Sequence, residues 1–229
     1  MQQDQDKQIT KIKNWLSTGS INLFGLPFSG KDTIGLKLAE ALNAKLLSSG
    51  DILRKSVAQA SKEALKDRNS GKLTPTDEFK NIILPYFKLP ALNDYPLILS
   101  MVGRWIGEEV PTMEAAAASG HPIKAVVLLN VSEVEVKSRW EASQILKNRT
   151  GDPEEDKRAD DKTMAILQTR FNEFNTKVMP VIQVYQKMGI LIPVNAKQNR
   201  EEVFSSVINS LANFIPVAEH RPITFKERN

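Results

Sequence analysis

Residues 21–33 read Ile-Asn-Leu-Phe-Gly-Leu-Pro-Phe-Ser-Gly-Lys-Asp-Thr. The apolar run 21–25 predicts a buried strand, and the stretch 31–42 predicts a helix. Between them lies a loop bounded by two glycines and followed by Lys31. Such a loop wraps backbone N–H groups around phosphate oxygens, while the helix N-terminus adds positive charge and the lysine reaches the β- and γ-phosphates. The stretch therefore predicts a loop that binds a nucleoside triphosphate.

Four further apolar runs predict the remaining strands of a parallel sheet. The runs are short and continuous, as expected of parallel strands that helices cover on both faces. Amphipathic helical stretches alternate with them, which is typical of an α/β fold. The five predicted strands are residues 21–25, 44–48, 96–100, 123–131 and 190–194.

The periodic segments between these runs predict helices. An apolar stripe within residues 9–16 precedes the first strand, and residues 203–214 carry the stripe of a last helix. The longest pattern starts near Asp161, with apolar residues every three or four positions. Pro180 lies inside this pattern and predicts a kink, because proline removes one backbone hydrogen bond.

Three stretches depart from this alternation. Residues 49–96 contain no strong strand pattern and carry the turn-like sequence Gly-Lys-Leu-Thr-Pro at 71–75, so we predict a helical insertion after the second strand. Residues 144–158 are polar and contain a glycine and a proline, which predicts a short mobile loop. Residues 216–229 form a charged, proline-containing tail that we expect to be partly ordered or loosely packed.

Composition narrows the classes of function. The chain has 229 residues, of which 41% are apolar and 25% charged, and it has no cysteine, which excludes disulfides and thiolate metal sites. Residues 1–14 lack the apolar segment of a secretory signal, and no apolar run is long enough to span a bilayer. We therefore expect a cytoplasmic protein with no membrane partner.

The basic charge balance has two interpretations. The net charge is +4 and the isoelectric point about 9.2. Such an excess occurs in proteins that bind nucleic acid, but it also arises where arginines and lysines gather around a polyphosphate ligand. We favour the polyphosphate, because the excess is small, the basic residues are dispersed and no basic run is interleaved with aromatic residues. No nucleic-acid partner is expected.

The residue after the loop lysine departs from the common pattern. That position usually holds a serine or threonine that contacts Mg²⁺, whereas here Asp32 fills it and the hydroxyl follows at Thr33. In one interpretation Asp32 is a first-turn carboxylate that the helix dipole favours. In the other, a cation separates this carboxylate from the triphosphate, because the two would otherwise repel each other. The metal would be Mg²⁺, held mainly by ATP phosphates and water, with Thr33 as a candidate ligand.

The shifted hydroxyl is one of several features in which the chain resembles the adenylate kinase family, whose loop reads Gly-x-Pro-Gly-x-Gly-Lys-Gly-Thr. Residues 48–54, Ser-Ser-Gly-Asp-Ile-Leu-Arg, are similar to the family's Ser-Thr-Gly-Asp-Met-Leu-Arg. Residues 99–104 and 158–161 resemble its Leu-Asp-Gly-Phe-Pro-Arg and Arg-x-Asp-Asp. The resemblance extends from about residue 21 to residue 211.

The resemblance implies a P-loop NTPase fold: a five-stranded parallel sheet flanked by helices, with a helical insertion that binds the nucleoside monophosphate (NMP) and a short lid. The implied division is residues 1–48, 91–139 and 159–215 for the core, 49–90 for the NMP-binding insertion, 140–158 for the lid and 216–229 for a C-terminal tail.

The resemblance also implies the site residues. Phosphoryl transfer depends on alignment and on positive charge around the transferring oxygens, which cationic side chains would supply. The implied catalytic residues are Lys31, Arg104, Arg139, Arg158 and Arg170. The implied ATP-binding residues are Gly25, Pro27, Phe28, Ser29, Gly30, Lys31, Asp32, Thr33, Arg139 and Ala196. The implied NMP-binding residues are Ser49, Gly50, Arg54, Leu73, Thr74, Arg104, Glu108, Arg158 and Arg170.

Three positions depart from the family pattern in ways that bear on chemistry. Phe28 replaces a loop glycine, which is costly if the backbone there needs a positive φ. Ser100 replaces an aspartate that orients the water around the metal, and we hypothesise that Asp32 or Asp51 compensates. Glu108 replaces a glutamine that reads adenine; a carboxylate can accept from the exocyclic amine of adenine or cytosine but cannot donate to a ring nitrogen.

The resemblance implies a monomeric enzyme that transfers a phosphoryl group from ATP to AMP, reversibly and with Mg²⁺, giving two ADP. Glu108 leaves open a kinase of the same fold that acts on CMP, UMP or a deoxynucleotide. Phe28 and Ser100 leave open a catalytically weakened nucleotide-binding module. The retained cationic residues favour an enzyme, because a mere binder has little use for the arginines of a lid.

Overall fold

Five parallel strands form the centre of the molecule. The structure, a computed structural model, describes residues 2–56, 60–150 and 163–219. Within them the strands form one sheet in the order β2-β3-β1-β4-β5, and every neighbouring pair is parallel. The strands are β1 Ser20–Gly25, β2 Lys45–Ser48, β3 Leu97–Ser100, β4 Ile123–Asn130 and β5 Leu191–Asn195. The predicted parallel α/β fold is confirmed, and each predicted strand end is correct to within one residue.

The burial of the strands explains why they could be predicted. Every residue of β1 and of β3 is buried, so neither strand shows a polar alternation. β2 lies at one edge of the sheet and is only partly buried. The apolar core therefore runs through the middle of the sheet, with β1 at its centre.

Helices cover the sheet. Of these, α1, α2 and α10 contact one another, and the rings of Trp15 in α1 and Phe214 in α10 meet edge to face with centroids 6.2 Å apart. Two short 3₁₀ helices, Leu84–Lys88 and Pro90–Leu92, precede β3. The α-helices are α1 Gln2–Leu16, α2 Lys31–Leu42, α3 Ser49–Lys55, α4 Lys62–Asn69, α5 Thr76–Ile83, α6 Glu109–Ala118, α7 Glu133–Thr150, α8 Met164–Glu173, α9 Met179–Lys187 and α10 Arg200–Glu219. Within the described ranges, no helix combines the length and the apolar character that a membrane crossing requires.

The predicted loop at residues 144–158 is wrong in its first half. Helix α7 continues to Thr150, because residues 144–150 are polar but include good helix formers and no glycine or proline. The glycine and proline that suggested a loop are Gly151 and Pro153, which lie outside the described residues. Polarity alone therefore does not distinguish a helix from a loop.

We predicted a kink at Pro180, and in the structure a π-helical segment interrupts the helix just before this residue. The chain forms α8, then a π-helical segment, Phe174–Val178, and then α9, in which Pro180 is the second residue. Proline cannot donate to a carbonyl in the preceding turn, and widened turns are a common response to such a gap. The helix predicted to start near Asp161 is first described at Met164.

The segment between β2 and β3 is helical wherever it is described, as predicted. It contains α3, α4, α5 and the two 3₁₀ helices, and its described residues contain no strand. At the other end of the chain, α10 runs to Glu219 and so includes the first four residues of the predicted tail. Residues 220–229 lie outside the described ranges.

The strand order creates a crevice at the carboxyl ends of β1 and β3. From β1 the chain passes to β2 on one side, whereas from β3 it passes across β1 to β4 on the other. Neighbouring strands whose connections leave in opposite directions open a ligand-binding crevice beyond their carboxyl ends. The loop at residues 26–30 and the turn at residues 101–108 border this crevice.

A buried asparagine joins β1 to that turn. Asn22 is fully buried in β1; its side-chain amide donates to the Val102 carbonyl at 2.7 Å, and its oxygen accepts from the Val102 N–H at 3.4 Å. One side chain thus forms hydrogen bonds with both the backbone N–H and the backbone carbonyl of Val102. This contact fixes the turn that follows β3 against the centre of the sheet.

We predict that Asn22→Ala lowers the free energy of unfolding by about 3 kcal/mol, because each buried polar group left unpaired costs about 1–3 kcal/mol. Urea denaturation measures the loss. The control is Asn175→Ala, which removes an exposed bond to Glu133 and should change the free energy of unfolding by about 0.5 kcal/mol or less. Equal losses in the two variants would show that the bonds of Asn22 contribute nothing beyond an exposed contact.

Candidate functional site

The loop between β1 and α2 has the backbone geometry of an anion cradle. A Cβ at Gly25 would lie 2.5 Å from the Ser29 Oγ, so only glycine fits there, and Gly30 has a φ of 91°. Among the described residues, no side chain caps the N-terminus of α2. The dipole of the helix favours a negative ligand at this N-terminus.

Phe28 adopts the conformation that makes its substitution for glycine costly. Its φ is 58°, in the left-handed region, and its partly buried ring packs against the core. Met101, in the turn after β3, has a φ of 57° and also stands at a glycine of the family pattern. Each such position costs about 1–3 kcal/mol and persists only where its surroundings hold it.

Two cavities adjoin the loop. The first, which we call the α7 cavity, lies between the loop, α7 and the start of α10. The second, the cationic cavity, lies between the loop, the helical segment after β2, the turn after β3 and α8. Asp32 and Arg54 line both cavities, so the two spaces meet beside the first turn of α2.

The predicted ATP residues divide between these cavities. Gly25, Pro27 and Lys31 line the cationic cavity. The remaining predicted ATP residues line the α7 cavity, with Asp32 shared: Phe28, Ser29, Gly30, Asp32, Thr33, Arg139 and Ala196.

Arg139 ties three segments of the α7 cavity together. Its Nη2 donates to the Ala196 carbonyl at 2.7 Å, its Nη1 to the Phe28 carbonyl at 3.4 Å, and its Nε to the Glu135 carboxylate at 3.1 Å. The guanidinium thus joins α7 to the loop before α2 and to the end of β5. The same contacts support the strained backbone at Phe28.

The cationic cavity carries a large excess of positive charge. Two carboxylates, Asp32 and Glu173, line it against six cationic side chains. Leu53, Leu73 and Phe174 are among the apolar residues of its wall. A cavity of this charge suits a phosphate group attached to an apolar or aromatic body. The six cationic residues are Lys31, Arg54, Arg68, Lys72, Arg104 and Arg170.

Residues at the start of α3 shape one wall. Arg54 forms an ion pair with Asp51 and lies over Gly50, where a Cβ would approach its guanidinium to 3.3 Å. The Ser49 hydroxyl donates to the Met101 carbonyl at 2.8 Å, which holds α3 to the turn after β3. Gly50 therefore leaves room for the arginine, and Ser49 has a structural contact as well as a place in the wall.

Glu108 does not line the cationic cavity, although Arg104, four residues earlier, does. Glu108 is 1% exposed, and its Oε2 accepts from the backbone N–H groups of Arg104 at 2.7 Å and Trp105 at 3.2 Å. Glu109 accepts from the Gly107 N–H at 2.6 Å. Carboxylates thus fasten the turn that directs Arg104 into the cavity.

Burial shifts the pKa values of this pair in opposite directions. It raises the pKa of Glu108 above its ordinary value, although the N–H groups and the charge of Arg104 oppose the rise. It lowers the pKa of Arg104, and the nearby positive charge of Arg170 adds to that lowering. A guanidinium still stays protonated at neutral pH, so the shift means that Arg104 is held charged without full compensation. An anion bound in the cavity would supply the missing negative charge.

Sequence reasoning missed Glu173 and Arg68. Glu173 accepts from the Leu73 N–H at 3.0 Å and pairs with Lys177 at 2.6 Å, which ties α8 to the segment after β2. Arg68 donates to the Leu53 carbonyl at 2.8 Å. Glu173 lies three residues after Arg170, one helical turn away, and this spacing was the signal that could have identified it.

The predicted NMP residues other than Glu108 and Arg158 line the cationic cavity together: Ser49, Gly50, Arg54, Leu73, Thr74, Arg104 and Arg170. Arg158, predicted for both catalysis and NMP binding, lies outside the described residues. The roles of all these residues stay predictions.

The chain is similar in sequence to several known proteins. A family model described as an AAA domain matches residues 24–166, which include the loop and the turn that border the crevice. A protein named adenylate kinase from Parvibaculum lavamentivorans is 31% identical over 191 residues, covering 81% of this chain and 88% of the relative. A protein of the same name from Petrotoga mobilis is 28% identical over 213 residues, covering 83% of this chain and 96% of the relative. One from Leptospira biflexa is 27% identical over 191 residues, covering 82% and 96%.

The raised pKa of Glu108 predicts how stability depends on pH. Its contribution is fully present below the ordinary pKa of a glutamate and is lost as the pH rises through the raised value. We therefore expect the free energy of unfolding of the parent chain to fall relative to Glu108→Gln as the pH rises from about 4, the ordinary pKa of a glutamate. Urea midpoints of both proteins at increasing pH measure the difference.

Glu63→Gln, at an exposed position of α4, measures the effect of changing the net charge alone. A pH dependence of Glu108→Gln no larger than that of Glu63→Gln would contradict the prediction.

Proposed function

Because the chain belongs to the adenylate kinase family, whose members are phosphotransferases, we propose that it transfers a phosphoryl group reversibly from ATP to AMP, with Mg²⁺, giving two ADP. The observation that carries this proposal is the meeting of the α7 cavity and the cationic cavity beside the phosphate-binding loop, where Asp32 and Arg54 line both. Two nucleotides bound there would bring their phosphates together.

ATP is proposed to occupy the α7 cavity, with its phosphates on the loop. The uncapped first turn of α2 offers N–H donors to the phosphates, as helix N-termini do in other nucleotide sites. Lys31 lines the neighbouring cavity and would reach the terminal phosphate from that side. Arg139 and Ala196 would flank the rest of the nucleotide.

The monophosphate is proposed to occupy the cationic cavity. Arg54, Arg104 and Arg170 would bind its phosphate, since guanidinium groups grip phosphate oxygens in pairs. Leu73 and Thr74, in the wall of the same cavity, would contact the base. Arg158 is proposed to join this set from the lid.

The chemistry asks little of the protein beyond position and charge. Phosphoryl transfer needs donor and acceptor in line and positive charge around the transferring oxygens. Lys31, Arg104 and Arg170 lie in one cavity and would supply that charge. No general base is assigned among the described residues of the site.

Mg²⁺ fits the oxygen donors beside the loop. Thr33 and Ser100 offer hydroxyls and Asp32 a carboxylate, and Mg²⁺ prefers oxygen ligands. In the described part of the chain, no group of three or more acidic, histidine or cysteine residues could hold a metal alone. The ion would therefore be held mainly by ATP phosphates and water.

The assignment of functional segments along the chain is also a proposal. Residues 49–90 would form the NMP-binding insertion and residues 140–158 a short lid, of which 140–150 extend α7. Closure of such segments over the nucleotides would exclude water and limit ATP hydrolysis. We expect the enzyme to act as a monomer.

A coupled assay with ATP, Mg²⁺ and a panel of monophosphates tests the function. We expect turnover with AMP, and we expect Lys31→Ala to lower it by about 100-fold or more, because it removes a charge from the developing transition state. Lys37→Ala is the matched control, since Lys37 lies in the same helix, pairs with Glu201 and lines neither cavity. Near-normal turnover in Lys31→Ala would rule out the assigned role.

The same panel separates the alternatives. Turnover of CMP, UMP or a deoxynucleotide in place of AMP would favour a kinase with a different acceptor. Binding of ATP without transfer to any acceptor would favour a weakened nucleotide-binding module.

Acceptor selectivity tests the place of Glu108. Because its carboxylate accepts from the backbone of its own turn, we expect Glu108→Gln to change kcat/KM by the same factor for AMP and CMP, within about threefold. Arg104→Ala should raise KM for every acceptor by about 10- to 100-fold, the loss of a charge-assisted hydrogen bond. A change of about tenfold or more in the AMP-to-CMP ratio of Glu108→Gln would identify Glu108 as a reader of the base.

A further inference from the structure

A lysine, a glutamate and a tryptophan form a chain of contacts beside the cationic cavity. The Lys177 ammonium lies 2.6 Å from Glu173 Oε2 and 4.1 Å from the centroid of the Trp105 ring. An ammonium this close to an aromatic face is attracted to it. The same Glu173 oxygen accepts from the Leu73 N–H at 3.0 Å. The chain of contacts therefore joins the turn after β3, the helix α8 and the segment after β2.

The three joined elements carry residues that are proposed to bind the acceptor. Trp105 directly follows Arg104, and Glu173 lies one helical turn after Arg170. Leu73 belongs to the proposed wall for the base. Arg104, Arg170 and Leu73 all line the cationic cavity. The chain of contacts thus helps to set the spacing between two arginines and the wall that faces the base.

Lys177 can influence a ligand only through its neighbours, because it does not itself line the cationic cavity. It lies in the π-helical segment Phe174–Val178, whose first and last residues do line the cavity. The Glu173 side chain is only 14% exposed. A carboxylate with so little access to water needs hydrogen-bonding or charged partners, and Lys177 supplies one.

A simpler interpretation is that Glu173 and Lys177 form an ordinary ion pair between residues four apart, which stabilises a helix slightly. That interpretation accounts for the contact between the two side chains. It does not account for the contacts that each of them makes with another segment, at Leu73 and at Trp105.

We propose that Lys177 and Glu173 are positioning residues for the acceptor nucleotide. Lys177 holds the Glu173 carboxylate on the Leu73 N–H and, through the Trp105 ring, holds α8 to the turn that carries Arg104. The proposal rests on the proposed function for the identity of the acceptor. Neither residue is assigned a contact with the transferred phosphoryl group.

The signs of two substitutions separate positioning from a simple effect of charge. Glu173 opposes the lowering of the pKa of Arg104, so its negative charge does reach the cationic side chains. If charge alone mattered, Lys177→Met would weaken the binding of anions and Glu173→Met would strengthen it. Positioning predicts instead that both substitutions weaken the binding of AMP. Methionine is similar in length to both residues and has no charge.

Calorimetry with AMP and with inorganic phosphate tests the proposal without turnover. In Glu173→Met the Kd for AMP should rise about tenfold, the loss of a hydrogen bond to a charged group. The Kd for inorganic phosphate, which has no base to meet the wall at Leu73, should fall or stay unchanged in the same variant. Lys177→Met should raise the Kd for AMP by about threefold or more, and Lys177→Arg, which keeps the charge over the Trp105 ring, should restore it.

Lys187→Met, at an exposed position of α9, is the matched control and should leave the Kd for AMP unchanged. Tighter binding of AMP by Glu173→Met would show that Glu173 acts only through its charge and would overturn the proposal. Parent-like affinities for AMP in Lys177→Met and Glu173→Met, with a lower urea midpoint, would show that the pair only stabilises the fold.

A double-mutant cycle tests the part played by Trp105. Trp105→Leu should weaken AMP binding in the parent chain but add little in the Lys177→Met background, because the two residues act through one contact. Losses that add fully would remove Trp105 from the chain of contacts. If Glu173→Met does not fold, the comparison of Lys177→Met with Lys177→Arg decides, and equal affinities for AMP in the two would overturn the proposal.

The same measurements keep this inference distinct from the proposed function. If AMP binds but no monophosphate is turned over, the proposed function fails, and the Kd values still decide the role of Lys177 and Glu173. If neither AMP, CMP nor UMP binds to the parent chain, the cationic cavity is not an acceptor site and both proposals fail.

Discussion

Six cationic side chains line one cavity at the carboxyl ends of β1 and β3, and the site depends on holding them there before any anion arrives. Like charges repel one another, and burial already lowers the pKa of Arg104. Carboxylates offset this repulsion: Glu108 fastens the turn that carries Arg104, and Glu173, in the wall of the cavity, joins α8 to the segment after β2. Ion pairs with Asp51 and Asp67 likewise hold Arg54 and Lys72 in place. A phosphate group is a ligand that suits the six cationic side chains gathered in this cavity.

Side chains also stabilise strained backbone conformations around the same crevice. Phe28 and Met101 both have positive φ values, each at a cost of about 1–3 kcal/mol. Hydrogen bonds support both positions: Arg139 donates to the Phe28 carbonyl, and Ser49 donates to that of Met101. Side-chain hydrogen bonds therefore stabilise, at these two positions, a backbone conformation with positive φ that glycine would adopt without strain. The Phe28 ring also adds an apolar surface to the α7 cavity that glycine could not provide.

The fold was predictable because its centre is simple. Strands buried on both faces read as continuous apolar runs, and all five were predicted to within one residue at each end. The prediction of a loop was wrong at residues 144–150, because a polar sequence is compatible with a helix as well as with a loop. Much of the site was also predictable, since the loop and the family motifs place most of its residues around two cavities. Glu108 was not, because its partners are backbone N–H groups that no side-chain pattern records. The hydrogen bond from Ser100 to Asp32 could not be seen either, because it depends on the pairing of β3 with β1.

The orientation of Glu108 has a consequence for acceptor choice in the proposed reaction. With its carboxylate committed to the turn, the base would meet mainly apolar side chains of the cationic cavity, such as Leu73 and Phe174. The Leu73 N–H is donated to Glu173, so it is not available to a ring nitrogen of the base. A pocket that fits shape without hydrogen-bond readout discriminates among similar ligands by only about 1–3 kcal/mol. The phosphate would then supply most of the affinity, and selection among bases would rest on shape and on the Thr74 hydroxyl in the same wall. A lid that closes fully only over a base of the right size would add to that selection, since closure converts a small difference in fit into a difference in rate.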